Sequence, residues 1–399
     1  MKKLSKYTLI RAFALMFFLF TIQNLKGETV AMSDDPNFIK ASILITSIGD
    51  LPHQIVGHAA IRMECPVHNL DRVFSFNNNS ANSFQKLLTE GGIGSTQELY
   101  TNYYLEESQK EGRMITSYPL NLTLNEKARL WEVLDSLKSA PVQPFSITGA
   151  HCGSMAAHAI DLALAPDYVY WDEPQLQKYN YGYLARLSEG GRAPWSYVLL
   201  GLGLGTLMDS KMSGIYYVSP TIFEKEYDQF HIYSANGNVR PLIYGNPKVL
   251  LPESGDHSAN RPTPFETSLI ILIIVVIVTA FQIFKKVKLA GTILDWALWI
   301  LVTGGGLFVA YLTFGPLQYG SGWNWVLIIL NPLGWLPIVL LRKSIKWQKY
   351  VWLTYAVVLF FFAAFINYIS PTLDSSWRIF ALALSIRCGW HSVKIVKKL

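Results

Sequence analysis

The chain has 399 residues, 51% of them hydrophobic, and a mean hydropathy of +0.23, which is too apolar for one ordinary soluble domain, so two parts are expected. The charges divide the same way: residues 27–264 hold 17 basic and 25 acidic side chains, a net of −8, whereas residues 265–399 hold 12 and 3, a net of +9. The pI near 9.0 thus arises in the apolar part and the first few residues, and no nucleic-acid partner is expected from it.

In chain order, Lys2, Lys3, Lys6 and Arg11 precede the apolar run Ala12–Ile22, with Gly27 soon after. This pattern predicts an export signal over 1–27, either cleaved or kept as an anchor. Strands are predicted at Ala41–Ile48, Gly57–Met63 and Arg72–Asn77 from short β-type runs. Thr123 and Glu126 form a capping-box pair ahead of Leu130, Leu134 and Leu137 at helical spacing, which predicts a helix over Thr123–Ser139. A second helix is predicted from Cys152 to Ala165, with Met155, Ala156, Ala159, Ile160 and Leu162 as its apolar face. The Pro-, Gly-, Ser- and Asn-rich stretch 241–264 reads as a linker, so the soluble domain is expected over 28–240 and the membrane domain over 265–399.

About five membrane spans are expected there: Ser268–Phe284, Gly291–Phe314, Trp323–Leu341, Tyr350–Ile369 and the short, Arg387-bearing Trp377–His391. Lys285, Lys286 and Lys288 follow the first span, and Arg342, Lys343, Lys346 and Lys349 follow the third. The positive-inside rule assigns these loops, and the C-terminus with Lys394, Lys397 and Lys398, to the cytoplasm. The domain ahead of the first span is then expected outside the cytoplasm, in agreement with an export signal. Asp295 and Arg387 are costly in lipid and call for a pairing or a water-filled cavity.

Of the three cysteines, Cys388 falls in the last span, where a small apolar role is expected. Cys152 sits in Gly149-Ala-His-Cys-Gly-Ser-Met-Ala-Ala-His158, a loop turning into a helix. Backbone N–H groups at a helix N-terminus favour a thiolate and provide an oxyanion hole. Cys152 is therefore the candidate nucleophile, the bland alternative being a buried thiol or a disulfide with Cys65. Among His53, His58, His68, His151, His158, His231 and His257, His158 points about 120° away from the sulfur around the helix. His58 lies on a strand with Ala59, Ile61 and Met63 on the core face and His58, Ala60 and Arg62 on the other, a placement that suits a base in a cleft. Asn77 first and Ser75 second are candidates to orient its imidazole, and His151 is a lower-ranked site candidate. Arg62 could bind a phosphate head group or form an ordinary salt bridge.

The order of Gly57-His-Ala-Ala-Ile-Arg62, then Val73-Phe-Ser-Phe-Asn77, then a helix opening with His151-Cys152 resembles the circularly permuted papain-like (NlpC-like) folds. With Asn331-Pro-Leu-Gly-Trp335 inside a span, nearly the whole chain is similar to the Lnb-type lipoprotein N-acyltransferases. That family commonly has Asn-Cys followed by Thr and Arg where this chain has His151-Cys152-Gly153-Ser154. The resemblance implies an α+β, permuted papain-like periplasmic domain followed by an all-α transmembrane bundle, in a multi-pass inner-membrane protein. It implies transfer of an acyl chain from a phospholipid donor, through a Cys152 thioester, to the α-amino group of a diacylated lipoprotein acceptor, with no cofactor.

Three other readings remain open on the residues alone. One is a papain-like hydrolase of peptidoglycan peptides or phospholipid esters. Another is a metal site drawn from His53, His58, Cys65 and His68, for which a second ligand pair is missing. The last is a non-enzymatic envelope assembly protein.

Overall fold

In a computed structural model of the chain, a short N-terminal unit, Met1–Phe38, separates from a main unit, Ile39–Leu399. The structure describes residues 35, 37–49, 54, 56–79, 92–146, 149–171, 180–182, 194–211, 220–255, 261–284, 288–315, 322–334 and 344–396. The export signal, His53, His257 and the end of the third expected span lie outside these residues.

The three strands expected from sequence form with shifted ends, as β1 (Lys40–Thr46), β2 (His58–Cys65) and β3 (Leu70–Asn78). They join β4 (Ile93–Tyr100), β5 (Ile115–Pro119), β6 (Gln143–Pro144) and β10 (Lys248–Leu251) in one sheet, in the order β10-β5-β1-β2-β3-β4-β6, with every neighbouring pair antiparallel. Strand β10 falls in the stretch read as a linker. Its Lys248-Val-Leu-Leu251 run extends the sheet at the edge beside β5. Between β6 and β10 run β7 (Tyr168–Tyr170), β8 (His231–Tyr233) and β9 (Val239–Pro241), a separate three-stranded sheet.

Period-two alternation gives the main sheet two apolar faces. On one, Ala59, Ile61, Met63 and Phe74 share a core with Leu130 and Leu134 of the expected helix Leu124–Ser139, and with Ala156, Ile160 and Leu164 of helix Cys152–Leu164. On the other, Leu44, Ala60, Val73 and Ile115 pack with Tyr104 of helix α1 (Thr101–Lys110). We label Leu124–Ser139 α2 and Cys152–Leu164 α3. The capping box of α2 is present as read: Thr123 Oγ1 accepts from Glu126 N, and Glu126 Oε2 accepts from Thr123 N at 2.7 Å. Ile160 is fully buried on the inner face of α3, a burial worth ~1.5–3 kcal/mol.

Helices α4 (Pro194–Leu204) and α5 (Pro220–Glu226) follow. The helical region then comprises α6 (Pro264–Phe284), α7 (Lys288–Phe314), α8 (Ile345–Ile369) and α9 (Ser375–Val396). Among the described residues, three stretches are long and apolar enough to cross a membrane: Pro264–Phe284, Lys288–Phe314 and Trp347–Ile369. These carry exposed apolar side chains such as Ile273, Ile277, Ile300 and Phe361, as contact with lipid requires. The stretch expected as a weak fifth span forms the 22-residue α9, which lies inside the helical core: Phe380, Ala381, Ala383, Leu384 and Cys388 are all buried there. Of the third expected span, the described part is a short 3-10 turn, Trp325–Ile328, held by Asn324, whose Oδ1 accepts from Val326 N at 3.1 Å.

The polar groups of the helices meet each other. Arg387 Nε donates to Asp295 Oδ1 at 2.6 Å, Nη1 to Thr279 Oγ1 at 3.0 Å and Nη2 to the Gly291 carbonyl at 3.0 Å. The sequence expectation of a pairing between Asp295 and Arg387 is met. His391 Nε2 lies 3.0 Å from the same Asp295 oxygen, and the cluster closes one end of a cavity of about 400 Å³ lined by Trp296, Trp299, Tyr355 and Leu384.

Helix α4 belongs to the helical region, although its position in the chain had placed it in the soluble domain. Its Leu202 joins the helical core, and Asn324 Nδ2 donates to the Leu202 carbonyl at 2.9 Å. Just after it, Asp209 accepts from Ser370 Oγ at 2.6 Å, Thr372 Oγ1 at 2.7 Å and Thr372 N at 3.1 Å. Gly205, at φ +56°, lets the chain turn against the Trp323 carbonyl, which a Cβ would meet at 2.5 Å.

Candidate active site

The site forms at one end of the main sheet, where two strands part. Strands β2 and β3 pair from Cys65↔Leu70 as far as Ala60↔Ser75. Beyond that point His58 stays with β1, opposite Thr46, while Phe76, Asn77 and Asn78 stay with β4. The fork leaves backbone groups of Ala59 without a β3 partner. The Ala59 N–H is among the backbone groups that favour the thiolate of Cys152, at the first position of α3, which sets the thiol near the peptide that follows His58.

The imidazole is held from the other prong. His58 Nε2 lies 2.7 Å from Ser75 Oγ, and the Ser75 hydroxyl donates its only hydrogen to Asn77 Oδ1 at 3.0 Å. Ser75 Oγ must therefore accept from Nε2–H, which leaves the lone pair that can take up a proton on Nδ1. Asn77 Nδ2 donates onward to Gln97 Oε1 at 3.1 Å. Of the two orienting candidates, Ser75 makes the contact and is buried, while Asn77 stands behind it. The face assignment of β2 explains the arrangement: His58, Ser75 and Asn77 all sit on the α1 side of the sheet.

Helix α3 begins with an unusual cap. His151 Nδ1 accepts from Gly153 N at 3.2 Å and Ser154 N at 3.3 Å, while Ser154 Oγ accepts from His151 N at 2.9 Å, completing a reciprocal box. Asn, Asp, Ser and Thr usually do this, so His151 fills the capping role that Asn would fill in an Asn-Cys pair. Burial pushes the pKa of His151 down to about 4, leaving a neutral ring at ordinary pH. His151 is thus placed as a capping side chain beside the nucleophile.

The helix N-terminus alone was expected to favour the thiolate of Cys152. The net direction is the opposite. Burial raises the thiol pKa above its usual value, outweighing the N–H groups of Ala59, Gly153 and Cys152 and the charge of Arg113, all of which favour the anion. Deprotonation of this sulfur needs a base. Cys152 and Cys65 are both free thiols, so the disulfide alternative is not formed.

Arg62 is occupied elsewhere. Its Nε and Nη2 donate to the two oxygens of Asp71 at 2.8 and 2.7 Å, and Glu64 lies 3.1 Å away. Four residues along the strand place it about 13 Å from His58, at the far end of the sheet. The structure thus gives Arg62 the salt bridge that was the alternative to a head-group contact. Among the described residues no group of three or more His, Cys, Asp and Glu side chains is placed to hold a metal. His158 is exposed on α3.

The sequence reading missed two electrostatic neighbours of the sulfur, Tyr104 and Arg113. Tyr104 is buried, hydrogen-bonded to Thr46 Oγ1 at 2.8 Å, and its hydroxyl pKa is pushed up to about 12 by burial, with Cys152 and Arg113 among its electrostatic neighbours. Arg113 precedes β5 directly after Gly112, and nothing in the linear pattern sets these two apart. The sulfur also borders a void of about 10 Å³ in the apolar core, lined by Ile61, Phe74, Phe76, Leu134 and Met155.

A thiol at a helix N-terminus, braced against the strand of an oriented histidine and joined to a multi-pass helical region, defines a membrane protein with a candidate cysteine-histidine site. Residues 256–399 match the family model of the Lnb transmembrane domain. No curated protein and no solved structure matches the chain.

Proposed function

We propose that the protein is a cysteine-dependent lipoprotein N-acyltransferase whose soluble domain, permuted papain-like in its order of histidine before cysteine, works outside the cytoplasm on lipids held in the inner membrane. The observation that carries this reading is the His58 imidazole, its Nε2 engaged by Ser75, on the strand whose next N–H favours the Cys152 thiolate. His58 Nδ1 takes the Cys152 proton as the sulfur attacks the ester carbonyl of a phospholipid. The tetrahedral intermediate collapses with cleavage of the acyl C–O bond, and the lysophospholipid alkoxide leaves with the proton from His58. The free α-amine of a diacylated lipoprotein then attacks the thioester and gives its proton to His58. The C–S bond breaks, and the thiolate recovers the proton. The Cys152 N–H is positioned to serve the oxyanion.

Acyl transfer is favoured over peptidoglycan hydrolysis by the match of residues 256–399 to the Lnb transmembrane domain, since a substrate in the cell wall would leave a multi-pass membrane region without a use. The test is mass spectrometry of a lipoprotein's N-terminal peptide from cells lacking their own N-acyltransferase, complemented with the protein or with Cys152→Ala. The expected result is one added amide-linked acyl chain with the wild type and none with the variant. Absence of the chain in both, with the protein inserted in the membrane, would refute the proposal.

A further inference from the structure

The end of the sheet that holds Cys152 also holds a cation with an unused donor. Arg113 lies two residues ahead of Ile115, which pairs with Thr46, which pairs in turn with His58. The guanidinium is drawn over this row of strand ends: Nε donates to the Ser47 carbonyl at 2.8 Å. Nη1 donates to Glu111 Oε2 at 3.0 Å, but the Glu111 side chain is 41% exposed whereas that of Arg113 is 7% exposed. Nη2 is buried and has no hydrogen-bond partner among the described residues.

A buried guanidinium is permanently charged and carries five N–H groups in a fixed fork. Leaving part of that fork unmatched is unfavourable, and such orphans in native proteins call for a reason. Bracing the Ser47 carbonyl uses only Nε. Tyr104, the nearest hydroxyl of the same row, is already committed to Thr46. Thr46 is the strand neighbour of both Ile115 and His58, and Arg113 reaches the carbonyl of Ser47 next to it, so the open donor lies at the same end of the sheet as His58.

We infer that Arg113 is an anion-binding residue of this site, with Nη2 donating to a phosphate oxygen of the glycerophospholipid whose ester carbonyl is presented to Cys152. This rests on the acyltransferase reading and names the head-group contact that sequence reasoning had looked for at Arg62. The phosphodiester is the one anionic group common to phospholipid donors, and the guanidinium fork matches its geometry.

The first test needs no acyl transfer. Full-length protein in detergent is alkylated at Cys152 with anionic iodoacetate and with neutral iodoacetamide, followed by peptide mass spectrometry. The iodoacetate-to-iodoacetamide rate ratio is expected to fall about tenfold in Arg113→Gln, the loss of one charge-assisted hydrogen bond. Arg113→Lys should fall between the two. An unchanged ratio overturns the inference. In the wild type, which carries no folding risk, sn-glycerol 3-phosphate should slow iodoacetate alkylation and glycerol should not; no protection by the phosphate overturns it as well. The second test follows Cys152 thioester formation from a phospholipid and from diacylglycerol bearing the same chains. Arg113→Gln should raise KM about tenfold for the phospholipid but not for diacylglycerol, while the lost charge near Cys152 lowers kcat on both donors. The same change in KM for both donors assigns Arg113 to the oxyanion or to the fold and overturns the inference. If neither donor acylates the wild type, the acyltransferase reading fails, while the alkylation ratio still decides the role of Arg113.

Discussion

Ser75 is the group through which the rest of the polar row reaches His58, and its removal gives a graded result. In Ser75→Ala the Nε2–H loses its acceptor at 2.7 Å, and Asn77 Oδ1 loses its donor at 3.0 Å. An unmatched, part-buried N–H costs ~1–3 kcal/mol, and the tautomer with its lone pair on Nδ1 is no longer favoured. At 1.36 kcal/mol per factor of ten, the rate of Cys152 thioester formation should fall roughly 5- to 150-fold, with little change in KM because the substrate is not touched. Asn77→Ala removes only the outer bond and should cost ~1 kcal/mol, about fivefold. Because Asn77 acts through Ser75, the double variant should be no slower than Ser75→Ala alone. Single-turnover acylation, followed by the intact-mass shift of the protein, measures all three. An Asn77→Ala defect larger than that of Ser75→Ala, or additive effects in the double variant, would refute the order of the relay.

The His151 cap makes a pH prediction. Its folded pKa, lowered to about 4 by burial, lies below the unfolded value near 6.5, so the unfolded chain binds the extra proton between these values. Stability should be level above pH 6.5 and fall as pH drops towards 4, by no more than ~3 kcal/mol; melting curves of His151→Asn, which keeps a cap, should be flatter over that window. In the helical region, Arg387→Met leaves Asp295 without its 2.6 Å partner and should destabilise by roughly 3 kcal/mol. Thermal unfolding in detergent should show Arg387→Met with Asp295→Leu to be less damaging than Arg387→Met alone. Asp209→Ala removes three hydrogen bonds from Ser370 and Thr372 and should cost ~2–4 kcal/mol, seen as faster proteolysis between α4 and α6.

Strands β1 to β3 and the two helices α2 and α3 were legible because their signals are local. The capping box at Thr123 and Glu126, the alternation of Ala59, Ile61 and Met63, and the small residues around Cys152 each state their structure within a few positions. The orienting residue was legible only to a choice of two, because Ser75 and Asn77 share a face and the parting of β2 from β3 decides which one reaches the imidazole. Arg113 was not legible at all. It comes to the sulfur through the pairing of β5 with β1, and no linear spacing records a contact made across three strands. Nor could the sequence weigh the two influences on the thiol, since the helix N-terminus is a local signal and burial is a tertiary one.

Helices α9 and α4 show where hydropathy and membrane location part. Hydropathy measures how well a helix suits lipid, and it identifies membrane location only when the helix faces lipid. Helix α9 scores weakly because its Ser385, Arg387, His391 and Ser392 bond to protein: Ser385 Oγ donates to the Ala356 carbonyl at 2.7 Å, and Ser392 Oγ to that of Lys349 at 3.3 Å. A helix wrapped by α6 and α8 can carry polar groups that a lipid-facing one cannot. Helix α4 makes the converse case, having apolar residues with no charge from Pro194 to Leu204 but only 11 residues, too few to span and so counted with the soluble domain. Its docking through Leu202 and Asp209 ties the segment after the main sheet to the loop at Ser370–Thr372. Residues 212–219 alone separate this anchored segment from α5, whose Pro220 packs on Gly57 beside His58. The strand end that carries His58 is therefore linked by a short length of chain to the helical region, an arrangement that suits the proposed action on membrane-held substrates.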